Sequence, residues 1–409
     1  MPHHERLHIK NFGPIREADI EVRDITVFIG QQATGKSLTA QLLYFMRGME
    51  ELAVNDAWGG GRIPGSGFIT RQEMPGKLAG LLANWLGNGS TWHKRTLIDW
   101  SLSDGDTQRE DRVETGDIDT QQGVTLSEAT LRRAEQLFGP VPSQCPINEK
   151  QIYVPAGRII YSFLEPKLTW YLLSEKQQDL HWPGYINVFC AKLKTALRSL
   201  EPPMRLGDEA EKFCSQVLGG TPFISGEKIF FSTSDKFAKE DGYDSKGFAF
   251  DQLKLASGQM EQWPFWALAA TALQEKDSVF RLFFEEPEAH LHPTAQIALI
   301  EAIARLTRKN LRFVITTHSP YVVYALNNFL MAQQILDAGG KLPASAVVDT
   351  ALRHTQVSAY RFTSDGTAES LLRTETGLID TKDLDDPAGR LNATFGDMLD
   401  VMYEIENKP

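Results

Sequence analysis

The stretch ITVFIGQQATGKSLTAQLLY, Ile25 to Tyr44, breaks into three parts. Ile25 to Ile29 is a β-branched and aromatic run of strand length, and Leu38 to Phe45 returns apolar side chains at helical spacing. Between them lies Gly30-x4-Gly35-Lys36-Ser37, the phosphate-binding P-loop pattern. Its glycines let the backbone curl until successive N–H groups point at one phosphate, and the helix start adds its dipole. Gly30, Gln31, Gln32, Ala33, Thr34, Gly35, Lys36, Ser37 and Leu38 are the candidate nucleotide cradle. Lys36 is spaced to reach the β- and γ-phosphates and Ser37 to put its hydroxyl on Mg²⁺.

With 409 residues and 42% hydrophobic content, the chain can bury a large core, as one composite domain with insertions or as two domains. No apolar run approaches the roughly 18 residues of a membrane helix, and MPHHERLHIKNFG lacks the apolar segment of a signal peptide. Cys145, Cys190 and Cys214 are scattered and odd in number, which suits a reduced, cytoplasmic setting and buried thiols. A net charge of −11 opposes wrapping nucleic acid with the whole surface, because such binding neutralises phosphates. Any DNA contact is then local or made by a partner.

In chain order, Arg6 to Ile9 and Ala18 to Val22 predict two strands joined by the turn Asn11-Phe12-Gly13-Pro14, with Phe12 and Pro14 near the P-loop, where they could line a base site. Residues 56–150 carry frequent glycines and predict a loop-rich insertion, with the polar run Ser103 to Gln122 as a solvated loop. Gln151 to Val154 returns to strand character and ends in Pro155-Ala156-Gly157-Arg158, where the arginine is either exposed or faces a phosphate or a subunit. Residues 151–224 then predict a core strand followed by a helical lobe, and Glu227 to Ser232 with Gly247 to Leu253 predict a hairpin.

Leu255-Ala256-Ser257-Gly258-Gln259 precedes the apolar helix Trp263 to Leu273, so Ser257 and Gly258 open a helix either as a cap or as an anion site. The chain continues into RLFFEEPEAHLHP, a hydrophobic strand ending in paired carboxylates. One carboxylate can hold a metal and the next orient or deprotonate water, which assigns Glu285 to the metal and Glu286 to the water. A further strand, Leu311 to Ile315, ends in Thr316-Thr317-His318, where the histidine can bond a γ-phosphate oxygen or the water. Val357 to Phe362 and Ala368 to Leu372 predict a hairpin around Ser364-Asp365-Gly366, and Ala388 to Tyr403 a closing helix. Asp383-Leu384-Asp385-Asp386 imitates a metal-binding pair but fits a solvated acidic loop.

These motifs together resemble the ABC-type ATPases of the soluble branch that includes RecF, Rad50/SMC and OLD-like proteins. The resemblance rests on Gly30 to Ser37, Ser257-Gly258-Gln259 as signature, Glu285 and Glu286 ending the Walker B strand, His290-Leu291-His292-Pro293 at the D-loop position, and His318 as switch histidine. It covers the first 50 residues and about 225 to 370. Gln31 to Thr34 stands where Pro-Asn-Gly-Ser is commoner, and Glu285 where many relatives carry aspartate. The resemblance implies an α/β P-loop head, a mixed sheet with an N-terminal antiparallel hairpin and helices on both faces, formed by residues 1–55 and 225–409. It also implies two subunits sandwiching ATP and Mg²⁺, with Ser257 and Gly258 acting in trans on a nucleotide held by Lys36 of the other copy. YVPAGR and LASGQ look most like the ATPase subunits of two-component anti-phage systems such as PARIS and Septu. That implies a homo-oligomer controlling a separate effector, such as a TOPRIM or HNH nuclease. A RecF-like clamp binding DNA directly, and a nucleotide-locked scaffold without turnover, are the alternatives.

Overall fold

The structure is a computed structural model that describes residues 4–54, 92–104, 107–115, 124–126, 149–159, 161, 184–199, 208–218, 220–225, 228–233, 256–382, 384 and 386–406. Thirteen strands are described: β1 His4–Phe12, β2 Ile15–Val22, β3 Ile25–Gly30, β4 Trp92–Asp104, β5 Thr107–Thr115, β6 Val124–Leu126, β7 Glu149–Val154, β8 Gly220–Ser225, β9 Lys228–Thr233, β10 Val279–Glu285, β11 Leu311–Thr317, β12 Val357–Phe362 and β13 Thr367–Ser370. The described α-helices are α1 Lys36–Val54, α2 Gly184–Ser199, α3 Asp208–Val217, α4 Ser257–Gln274, α5 Pro293–Thr307, α6 Pro320–Asp337 and α7 Asp386–Glu406.

Eleven strands form one mixed sheet in the order β6-β5-β4-β1-β2-β13-β12-β3-β11-β10-β7. From β12 to β7 every neighbouring pair is parallel. Parallel strands bring their carboxyl ends to one edge, so Gly30, Thr317, Glu285 and Val154 finish on the same side of the sheet. In open α/β sheets that edge is where ligands bind.

Side-chain alternation divides the core. Val27, Phe284, Leu282, Ile315 and Ile152 face one cluster with α4, α5 and α6, while Phe28, Phe283, Val314 and Tyr153 face a second with α1. Both sides of these strands are covered, which is why they read as continuous apolar runs rather than as alternating ones. Glu285 shares the parity of Phe283 and therefore points toward α1.

The first hairpin is present and longer than its apolar pattern suggested, with Phe12 paired to Ile15. Phe12 itself is fully buried in the core and lines no base site, whereas Ile15 and Pro14 pack against Gly35 of the P-loop. The hairpin around Ser364 to Gly366 also forms, and β12 lies parallel to β3.

Four expectations differ from what forms. Residues 92–126 are not simply a loop-rich insertion: β4, β5 and β6 continue the main sheet beside β1. The run expected to be a solvated loop contains β5, whose buried positions Arg109, Asp111 and Val113 alternate with exposed Gln108, Glu110 and Arg112. Charged inward residues hid that period of two. The hairpin partner of β9 is β8, upstream of it, while Gly247 to Leu253 lies outside the described residues. Finally, α7 is a helix but does not close the core. Its Leu391, Phe395, Met398, Leu399 and Met402 are exposed, by 51% or more.

Cys190 and Cys214 are buried thiols, as expected, and burial pushes Cys190 up to about 12; Cys145 lies outside the described residues. None of the described helices is long and apolar enough to cross a membrane.

Candidate nucleotide-binding and catalytic site

The loop between β3 and α1 has the backbone that its glycines permit. Gly30 has φ +151°, and a β-carbon there would stand 2.2 Å from the carbonyl oxygen of Phe362, the last residue of β12. No other residue fits so close an approach of two strands. Ala33 at φ +60° and Gly35 at +103° complete the curl. The Thr34 hydroxyl donates to the Gln31 carbonyl at 2.8 Å, and the Thr39 hydroxyl to the Gly35 carbonyl at 2.9 Å. The loop is thus braced by its own side chains.

Lys36 is buried, and its ammonium donates to the carbonyls of Gly30 at 2.9 Å and Gln31 at 2.5 Å. Burial pushes its pKa down to about 8, against the raising influence of Glu286 and Glu288.

Glu285 ends β10, buried, with both carboxylate oxygens hydrogen-bonded. Oε1 accepts from the Tyr153 hydroxyl at 2.6 Å and from Gln41 Nε2 at 3.2 Å, and Oε2 accepts from the Ala156 N–H at 3.0 Å. Burial, then the Glu285 charge, hold Tyr153 well above the ordinary phenol range, so it stays a neutral donor. Ser37 lies one turn N-terminal to Gln41 on the same face of α1. A serine hydroxyl and a carboxylate are the hard oxygen donors that Mg²⁺ takes alongside phosphate and water. The donor set fits that ion.

Glu286 follows in a left-handed conformation, φ +42°. For a non-glycine residue this costs about 1–3 kcal/mol and persists only where neighbours enforce it. The enforcers are visible: the Glu286 N–H donates to the Thr316 carbonyl at 2.8 Å, and the Glu286 carbonyl accepts from Arg158 at 3.2 Å and from the Ala289 N–H at 3.0 Å. So held, Glu286 Oε1 stands 3.3 Å from His318 Nε2, and both side chains are partly open to solvent. The β11 strand carrying His318 lies between the P-loop strand and β10, which lets one histidine approach both. Of the residues the sequence singles out, Glu286 and His318 meet directly, while Lys36 is bonded to the carbonyls of its own loop.

Glu288 was given no role by sequence, yet its Oε1 accepts from the Thr317 hydroxyl at 2.5 Å and the His318 N–H at 2.8 Å. It fixes the backbone that presents His318. A third carboxylate two residues beyond Glu286 was the available signal.

Arg158 is neither exposed nor aimed at a phosphate. It is fully buried and donates to the carbonyls of Glu261 at 2.5 Å, Pro155 at 3.2 Å, Glu285 at 2.9 Å and Glu286 at 3.2 Å. It also pairs with the Glu261 carboxylate at 3.1 Å and lies 5.0 Å over the Phe284 ring. Glu261 sits one turn beyond Ser257 on α4, so this arginine joins the signature helix to the strand end carrying the paired carboxylates. Gln262 makes a parallel tie, donating to the Pro287 carbonyl at 2.7 Å.

Ser257 and Gly258 open α4. Ser257 is exposed, Gly258 abuts the backbone carbonyl of His290, and Gln259 caps the helix through the Ala256 N–H at 3.0 Å. Among the described residues, Gln41 of α1 donates to the Glu285 carboxylate at 3.2 Å, and no sequence motif singled it out.

A family described as AAA ATPase domain matches residues 225–323, which contain α4, β10 and His318. No curated protein matches the chain. Solved structures similar in outline include the SMC head domain of Thermotoga maritima, at 11% identity and TM-score 0.39 over 90% of this chain and 97% of that one. The recombination mediator protein RecF-ATPrS gives 10% identity and TM-score 0.39 over 90% and 98%. The Smc head with an extended coiled coil bound to the C-terminal domain of ScpA, from Pyrococcus furiosus, gives 12% and 0.42 over 90% and 96%. Residues 225–323, which match the AAA ATPase domain, carry the paired-carboxylate strand β10 and the histidine strand β11, and the sheet sets β11 between β10 and the P-loop strand β3.

Proposed function

We propose that the chain binds ATP with Mg²⁺ at the carboxyl edge of the sheet and hydrolyses it. Lys36 turns from its loop carbonyls to the β- and γ-phosphates, Ser37 and Glu285 face the cation, and Glu286 orients or deprotonates the attacking water with His318 beside it. The observation that carries the reading is the 3.3 Å contact between His318 and Glu286 on a backbone forced into the left-handed region next to a buried lysine. Strain maintained at one carboxylate is a feature of working sites. Ser257 and Gly258, exposed and half-exposed at the start of α4, suit completion of the pocket on a second copy. On this reading, turnover governs a homo-oligomer that restrains or releases a separate effector nuclease in anti-phage defence, the role implied by the resemblance of YVPAGR and LASGQ.

Purified full-length protein should hydrolyse ATP. Lys36→Ala should abolish nucleotide binding, and Glu286→Gln should keep bound ATP while slowing turnover by about 10²–10⁴-fold, the usual range for loss of a general base. Unchanged hydrolysis in the Glu286 variant overturns its role. The competing reading is a DNA clamp of the RecF/SMC kind, which the net charge of −11 opposes. ATP-strengthened, salt-dependent binding of duplex DNA by the isolated protein would select that reading instead.

A further inference from the structure

Three donors converge on Glu285 from three separate elements: Gln41 from α1, Tyr153 from β7 and the Ala156 N–H from the loop after β7. An ionised carboxylate has about four acceptor positions. Two of the three donors spend Oε1, the third spends half of Oε2, and one direction on Oε2 is left.

The aromatic surroundings fix Tyr153 further. Its ring lies 5.3 Å from Tyr44 and 5.4 Å from Tyr185, and stacks on Phe283 at 6.1 Å. A phenylalanine would fill that space equally well, and a buried hydroxyl costs stability unless it is bonded. The hydroxyl is therefore explained by what it bonds, which is the carboxylate.

We propose that Tyr153 and Gln41 are positioning residues for the cation: they lock the Glu285 carboxylate in one rotamer and leave a single Oε2 direction for a hydrated divalent ion. The inference rests on the reading of Glu285 as the metal-side carboxylate. Preorganised oxygen geometry matters for Mg²⁺, which tolerates little departure from an octahedron. Partners that orient a ligating group typically contribute 10–100-fold to metal affinity.

The test is a titration of Mn²⁺ followed by electron paramagnetic resonance, on full-length protein holding a non-hydrolysable ATP analogue. Tyr153→Phe and Gln41→Leu are compared with the parent and with Glu285→Gln, and thermal melting confirms folding. The expected result is Mn²⁺ binding at least about tenfold weaker in Tyr153→Phe and in Gln41→Leu, with affinity for the metal-free analogue unchanged. The Mg²⁺ concentration that half-saturates turnover rises in parallel, while KM for ATP at saturating Mg²⁺ stays the same. Mn²⁺ binding that is unchanged or tighter in both variants, with Glu285→Gln weakened, overturns the positioning role and leaves Glu285 as ligand. Unweakened Mn²⁺ binding in Glu285→Gln overturns the underlying reading itself. Should Tyr153→Phe melt early, Gln41→Leu carries the same comparison.

Discussion

The buried guanidinium of Arg158 donates to the main-chain carbonyl of Glu286 at 3.2 Å, while its Nε meets the carboxylate of Glu261 at 3.1 Å. One side chain therefore holds the strained backbone at Glu286 and the first turns of α4 together. Burial lowers the pKa of Arg158, the Glu261 charge works against that fall, and burial in turn raises Glu261. Arg158→Met should cost about 3–5 kcal/mol in chemical denaturation, because it leaves Glu261 buried and unpaired. Adding Glu261→Met should restore most of that stability without restoring turnover, since the carbonyls of Glu285 and Glu286 still lack their donor. Full catalytic recovery in the double variant would show that only the charge balance mattered.

Much of this site is legible in sequence because its parts follow short rules. Gly30, Gly35, Lys36 and Ser37 are spaced by the demands of one phosphate, and Glu285, Glu286 and His318 each end a strand whose apolar run announces it. The supports are not legible, because they act across long separations. Tyr153 lies 132 positions from the carboxylate it bonds, and Gln41 lies 244. Arg158 looks exposed in sequence, since nothing local says that Glu261 and three carbonyls will surround it. β5 was hidden for a related reason: Arg109 and Asp111 occupy its inward positions, where apolar residues are the usual signal.

The depressed pKa of Lys36, about 8, yields a proton-linked prediction. Below that value the lysine is charged in both folded and unfolded chains; between about 8 and its ordinary 10.5 the folded protein has released the proton and the unfolded chain has not. Its contribution to stability therefore rises with pH across this window. Phosphates favour the ammonium, so ATP binding should take up a proton near pH 9, and affinity should fall by a factor approaching ten per pH unit above 8. Calorimetry of ATP binding in two buffers of different ionisation enthalpy measures this directly. Identical heats would place the Lys36 titration elsewhere, and Lys36→Arg should remove the uptake.

A second buried charge network lies at the opposite end of the same strands. Arg47 of α1 pairs with both Glu5 and Glu149, Arg281 reaches Glu149 at 3.2 Å, Arg312 does so at 3.5 Å, and Trp100 donates to Glu5 at 2.9 Å. Arg281 lies four residues before Glu285, about 13 Å along the strand, so the network anchors α1 and β10 without touching the chemistry. Burial pushes the Glu149 carboxyl up, but Arg281, Arg47 and Arg312 outweigh it and hold it below 4.5. Its stabilising contribution is thus complete above the unfolded carboxylate pKa and lost as pH falls below it. Arg47→Ala should cost about 3–5 kcal/mol and move acid unfolding to higher pH. An unchanged acid midpoint would mean that the remaining arginines compensate fully.

The last helix supplies the opposite expectation. Leu391, Phe395, Met398 and Met402 recur at spacings of four and three, the pattern from which a closing role is predicted, yet their exposures are 72%, 59%, 55% and 51%. Apolar side chains left in water contribute little to folding, since the gain comes from area removed from solvent. Leu391→Ser and Phe395→Ser should therefore each change the unfolding free energy by about 0.5 kcal/mol or less, the range for surface positions. Equivalent changes on α5, such as Leu299→Ser at a fully buried position, should cost several times more. A loss above about 2 kcal/mol from Phe395→Ser would show that α7 packs on the ATPase core in solution, as the sequence pattern alone suggests.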